Sequence, residues 1–194
     1  MNAAFSFTNY VIKRSNPLGW HGKYCVYDPQ GQPVLYVRHK THVKAPYVTY
    51  GVFADPGHMQ PVLSVQDADD AEFANYLEVI DLAGGEKVGG IGGDWTNWFE
   101  DAWAVTDAQG ATVALVRESS TRRAILHELT EGMVKQKIDI VAGDQTLATL
   151  RQKNALIGHH LVVDFSMDAT GRLDRRLGLV AAIMVATHQS EKMT

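Results

Sequence analysis

The chain contains one cysteine, Cys25, in 194 residues. That excludes an intrachain disulfide and any cysteine-cluster metal site, and it suits a reducing compartment. Residues 1–14 carry neither the basic start nor the apolar block of a secretion signal, and the alternation Phe5-Ser6-Phe7-Thr8 reads as a strand. Long hydrophobic runs are missing too. The most apolar stretch, residues 177–187, is eleven residues without a charge. As a helix it reaches about 16 Å, whereas a crossing of a hydrocarbon layer about 30 Å thick takes about 20 residues. A helix apolar on every side belongs in a core.

Charge is scarce in one sign locally. Residues 55–107 hold twelve acids and a single base, Lys87, while residues 1–54 hold six bases against Asp28 alone. The overall net charge is only −4. Two readings stand: an anion-facing N-terminal segment, or an ordinary mixed surface. With 45% hydrophobic and 21% charged residues the chain has material for a sizeable core, and residues 1–194 read as one domain.

What the sequence does have is a rhythm. A short apolar run, an Asp-and-Gly turn and a second apolar run recur, with turn aspartates at Asp28, Asp55, Asp81 and Asp107, spaced 27, 26 and 26 residues apart. A repeat of this length is one supersecondary unit that needs neighbours to bury its face. Asp-Pro-Gln-Gly and Asp-Ala-Gln-Gly are turn sequences: Asp bonds the following backbone and Gly accepts a positive φ. Period-2 patterning places strands near 5–14, 22–28, 33–40, 47–55, 61–67, 74–82, 86–91, 100–107, 112–118, 135–142, 145–153 and 159–166. Two segments break the pattern. Residues 119–132 carry Ile125, Leu126 and Leu129 at helical spacing, and a second helix is expected at about 172–188, with Asp168, Thr170 and Asp174 as acceptors near its start.

These elements constrain one another. Barrel diameter grows with strand number, so twelve closed strands leave a lumen that must be filled. The apolar helix, slimmed by Gly178, Ala181, Ala182 and Ala186, fits as its plug. The expected fold is mainly β: a closed twelve-stranded antiparallel barrel with a buried C-terminal helix.

In this architecture the chain resembles the tubby C-terminal-like superfamily, with the LURP-one-related proteins and phospholipid scramblases nearest in pattern. The residues that carry the resemblance are Tyr24-Cys25-Val26-Tyr27-Asp28-Pro29-Gln30-Gly31, Trp103-Ala104-Val105-Thr106-Asp107-Ala108-Gln109-Gly110 and the ending 161–188. The resemblance implies binding of phosphoinositide or other anionic phospholipid headgroups through basic residues on the barrel surface. From the scramblases it also implies a calcium segment just before the helix, matching Asp164, Ser166, Asp168, Thr170 and Asp174. Counted from Asp164, however, the sixth, ninth and twelfth positions hold Ala169, Arg172 and Arg175 where a calcium loop wants Gly, a ligand and Glu. These residues therefore read as turn and cap groups. The cysteine-rich and proline-rich segments of scramblases are absent, which argues against stable anchoring.

Catalytic signatures are lacking. The glycine-rich run 84–94 has no Gly-Lys-Ser/Thr and no following helix, so it reads as a strand with a bulge or close backbone approach. Trp95, Trp98, Phe99 and Trp103 read as a lid over one barrel mouth or as a site. His39 and His42 form an H-x-x-H, neighbouring His159 and His160 point to opposite faces, and His127-Glu128 lacks a second histidine. No nucleophile has a base beside it, so no enzyme activity, cofactor or metal is expected. The remaining candidate is the segment 38–44, where Arg38 and Lys40 share a face and, with Lys44, offer a headgroup clamp. The leading expectation is a cytoplasmic, monomeric domain that binds anionic membrane lipid weakly at the inner surface, without nucleic acid and without a transmembrane span. A protein-interaction or scaffold module is the rival, and an enzyme using the barrel mouth the third reading.

Overall fold

A computed structural model describes residues 2–15, 23–41, 48–68, 75–93, 102–119, 137–154 and 159–191. It contains twelve strands: β1 (Asn9–Arg14), β2 (Lys23–Tyr27), β3 (Pro33–Thr41), β4 (Val48–Phe53), β5 (Pro61–Asp67), β6 (Asn75–Asp81), β7 (Glu86–Gly93), β8 (Trp103–Asp107), β9 (Thr112–Glu118), β10 (Lys137–Ala142), β11 (Gln145–Asn154) and β12 (His159–Asp164). Each pairs antiparallel with its sequence neighbours, and β1 pairs with β12 to close the barrel. The helix α1 (Arg175–Glu191) follows. The expected helix within 119–132 lies almost wholly outside the described residues. No helix among them is long and apolar enough to cross a membrane.

The repeat is a hairpin with a built-in bend. Asp28 Oδ1 accepts the backbone N–H groups of Gln30 and Gln32 at 3.0 and 2.8 Å, and Asp107 Oδ1 does the same for Gln109 and Ala111. Gly31 and Gly110 stand at φ +79° and +87°, the conformation that this turn requires. Just before these turns the strand register slips, at Val26/Tyr27 and Val105/Thr106, and it slips equally at Val52/Phe53, Val79/Ile80 and Ile140/Val141. A bulge at each tight hairpin sharpens the local twist, which is what curls a sheet until its edges meet. Closure removes both exposed edges.

Nine successive residues of α1, from Leu177 through Val185, are buried. Nine residues cover every side of a helix with 3.6 residues per turn, so the barrel surrounds it. Fit is tight on two sides. A Cβ on Gly178 would stand 2.5 Å from the Phe165 ring, and one on Gly89 of β7 would run into the Thr106 carbonyl and lie 3.0 Å from Leu177 Cδ1. The glycines of β7 thus mark close approach: a side chain on Gly90 would overlap the Tyr76 ring, whose hydroxyl pairs with Thr106 Oγ1 at 2.8 Å.

Several boundaries differ from those expected by a few residues, and for two of them the cause is visible. The first strand begins at Asn9, because Ala3–Phe5 form a 3-10 turn capped by Asn2, with Phe5 buried under the barrel. The helix begins at Arg175 because two aspartates divide the work before it. Asp168 accepts the N–H groups of Arg172 and Leu173, holding them in a turn, and Asp174 accepts that of Arg176 as the cap. Arg176 then clamps the helix start to the β6–β7 rim, 2.7 Å from Asp174, 2.6 Å from Asp81 and 3.5 Å from Glu86. Burial raises the Asp81 carboxyl pKa, but the Arg176 hydrogen bond and the Ala83 N–H outweigh it and hold it low.

Tyr10 ties the N-terminal turn to the core. Its hydroxyl donates to the Ala4 carbonyl and accepts from Phe7 N–H. Burial pushes its pKa up to about 12, against the weaker opposing pull of the Phe7 hydrogen bond and Arg175. The folded state therefore keeps a proton that the unfolded chain releases near pH 10. Stability from this group is present below about pH 10 and is lost between pH 10 and 12, by roughly 2–3 kcal/mol. Tyr10→Phe should lose about 1 kcal/mol at pH 7 and show a flatter melting-temperature profile from pH 9 to 12. An unchanged profile would contradict this burial.

Candidate anion-binding face

Leu35 and Val37 of β3 point into the core, so Arg38 stands on the outer wall, and it is exposed. Its cross-strand neighbours are Lys23 of β2, also exposed, and Gly51 of β4. Lys40 lies two residues further along β3, opposite Thr49. Lys44 lies outside the described residues. Of the three expected site residues, Arg38 and Lys40 thus share one strand and one register parity.

The structure adds Lys23, which the sequence reading left out. Its place was countable: the Asp28 turn, corrected for the bulge at Val26/Tyr27, sets Lys23 against Arg38. One pleat nearer the turns, the outer row runs Lys13, Cys25, Tyr36, Phe53 across four strands. Tyr27, Tyr36 and Phe53 are half-buried, and the Lys13 ammonium sits 4.4 Å from the Tyr27 ring centroid. Under these rings Cys25 is buried, and desolvation pushes its thiol pKa up. A buried, protonated thiol is a packing group and a poor nucleophile. His58 packs edge-on against Phe53, and its pKa is lowered by burial, with Lys23 and Arg38 adding repulsion. The Asp55 carboxylate pulls it the other way, more weakly than burial.

Other sequence candidates separate in space. His39 faces inward, stacked 4.7 Å from Tyr50, and burial lowers its pKa, while His42 lies outside the described residues. Tyr50 bonds Thr187 of α1 at 2.9 Å, so this end of the lumen is a polar layer over the helix. Trp103 is buried in the same layer, 6.5 Å from His188; Trp95, Trp98 and Phe99 lie outside the described residues. In the segment before α1, Asp164 Oδ1 accepts Ser166 N–H, and the Asp168 side chain holds two N–H groups and Arg175 at 3.1 Å. These carboxylates are spent on turns and on a guanidinium. Among the described residues no group of three or more His, Cys, Asp or Glu side chains is placed to hold a metal.

No known family model matches the chain, and no curated protein is significantly similar to it. The outer wall has to be read from its own chemistry. It offers the exposed cations Lys23 and Arg38, Lys13 over the Tyr27 ring, and half-buried Tyr36 and Phe53, with the Asp55 carboxylate near Tyr36 and His58 at one end. Cations beside aromatic rings suit phosphate-bearing surfaces.

Proposed function

We propose that the protein is a non-enzymatic domain of the tubby C-terminal-like type that binds anionic phospholipid headgroups weakly at the cytoplasmic face of a membrane. The observation that carries this reading is the exposed Lys23–Arg38 pair beside the Tyr27, Tyr36 and Phe53 rings. Aromatic bodies with polar tips favour a wet apolar boundary, and cations favour its phosphates. The twelve-stranded barrel around a C-terminal helix supports the superfamily reading.

Each basic residue near an anionic leaflet contributes about 1 kcal/mol, so a few of them make a reversible binder. In flotation with vesicles containing acidic lipid, the protein should bind at low salt and release at 1 M, where the Debye length falls from about 10 Å to about 3 Å. Zwitterionic vesicles should not bind, and calcium should make no difference. Arg38→Glu/Lys40→Glu should keep its melting temperature within a few degrees and lose at least about tenfold in partitioning. Failure of the wild-type protein to bind acidic vesicles at low salt would overturn the lipid reading in favour of a protein-interaction module.

A further inference from the structure

Closure of the barrel joins residues about 150 positions apart in sequence. At the β12–β1 seam, Lys153 stands opposite His160, His160 opposite Lys13, and Lys13 opposite Cys25. One pleat along, Lys137 stands opposite Arg151, Arg151 opposite Val162, Val162 opposite Val11, and Val11 opposite Tyr27. Inward neighbours Leu150, Leu161 and Ile12 belong to the core, so both rows face outward. Arg151 and Lys153 are exposed, while Lys13, Val11, Val162 and Tyr27 are half-buried. Strands lie about 4.8 Å apart, so Lys153 and Lys13 are about 10 Å apart along the wall. That is about one Debye length at 0.1 M salt, and their potentials add.

The opposite wall has the other character. In a twelve-strand ring the β12–β1 seam is diametrically opposite the β6–β7 hairpin. There Lys87 is paired with Glu78 at 3.1 Å, Arg176 with Asp81 at 2.6 Å, and the Glu86 side chain is 66% exposed. The seam thus exposes Arg151 and Lys153, whereas the far wall's cations are held by carboxylates; the seam's own acids, Asp164 and Asp139, stand in the next outer row, with Asp139 3.3 Å from Lys137. A flat surface touches a cylinder along only a few strands, so this contrast selects one line of contact.

We infer that the protein docks on an anionic lipid surface along the β12–β1 seam, with Lys153, Lys13 and Arg151 on the headgroups and Val11, Val162 and Tyr27 against the interface. The inference rests on the lipid-binding reading and assigns its geometry. Arg38 and Lys40 then stand at the edge of the contact, two strands from the seam. A membrane fits better than a nucleic acid because the wall is convex and the strip between its cations is apolar. A phosphodiester backbone would leave that strip in water.

The test is flotation of the full chain with vesicles of phosphatidylcholine containing acidic phosphatidylserine, at 0.1 M salt. Each neutralised lysine should cost about fivefold in partitioning, so Lys13→Gln/Lys153→Gln should lose about 25-fold and exceed the loss in the charge-matched Arg38→Gln/Lys40→Gln. Glu86→Lys, on the far wall, should bind within twofold of wild type despite its added positive charge. A Lys13→Gln/Lys153→Gln protein that floats like wild type while Arg38→Gln/Lys40→Gln does not would overturn the seam and leave lipid binding standing. Loss of wild-type flotation would remove both. Displacement of the protein from vesicles by a short RNA duplex at equal phosphate would overturn the seam as a lipid site in favour of nucleic acid.

Discussion

Ala182→Asp yields a chain that does not fold. Ala182 has no exposed surface and lies in the middle of a helix that the barrel encloses on all sides. A carboxylate placed there would lie within the hydrophobic core. Its effective desolvation costs several kcal/mol even after relaxation, a large part of the 5–15 kcal/mol that holds an ordinary domain together. Neutralising the group by protonation exacts its own cost, and the extra atoms meet a lumen already filled. Insoluble expression or loss of the cooperative melting transition is the expected outcome. A soluble variant with an unchanged melting temperature would show that the helix is not threaded through the barrel.

Gly89→Ala adds one methyl group and should destabilise by about 3 kcal/mol or more, lowering the melting temperature by roughly 10 °C. The added carbon collides with the Thr106 carbonyl, a backbone atom in the paired strand, and presses on Leu177 of the helix. The backbone at Gly89 also stands at φ +153°. Gly110→Ala is the matched comparison. Its φ is +87° and nothing lies within 4 Å of the added carbon, so only the conformational cost of about 1–2 kcal/mol applies. Equal melting temperatures for the two variants would contradict the helix-to-β7 packing.

Strands and turns were legible because their causes are local. The aspartate at position 28 or 107 closes its turn with side-chain oxygens that reach four residues at most, and alternation shows which face is buried. Boundaries set by competition were less legible. Phe5-Ser6-Phe7-Thr8 alternates like a strand, yet Asn2 caps a turn there and Tyr10 reaches back to hold it. Asp168 and Asp174 are equally good acceptors in sequence; only the fold shows that the first is taken by Arg172, Leu173 and Arg175. The glycines of β7 were readable as close approach, but not as room for Tyr76 and Leu177. On the outer wall, Arg38 and Lys40 were visible as a local pair. Arg151 and Lys153 are a local pair of the same kind, but the nearness of Lys13 to them depends on the β1–β12 pairing that closes the barrel, and no local rule specifies it.

The proposed lipid contact lies on one side of the barrel's outer wall. Lysine acetylation footprinting of the full chain, with and without acidic vesicles, reads that wall directly. Vesicles should slow labelling of Lys13, Lys23 and Lys153 several-fold and leave Lys87, on the far wall beside Glu78, unchanged. Vesicle-bound protein in which Lys87 is protected, or in which Lys13 and Lys153 label as fast as in free protein, would contradict it.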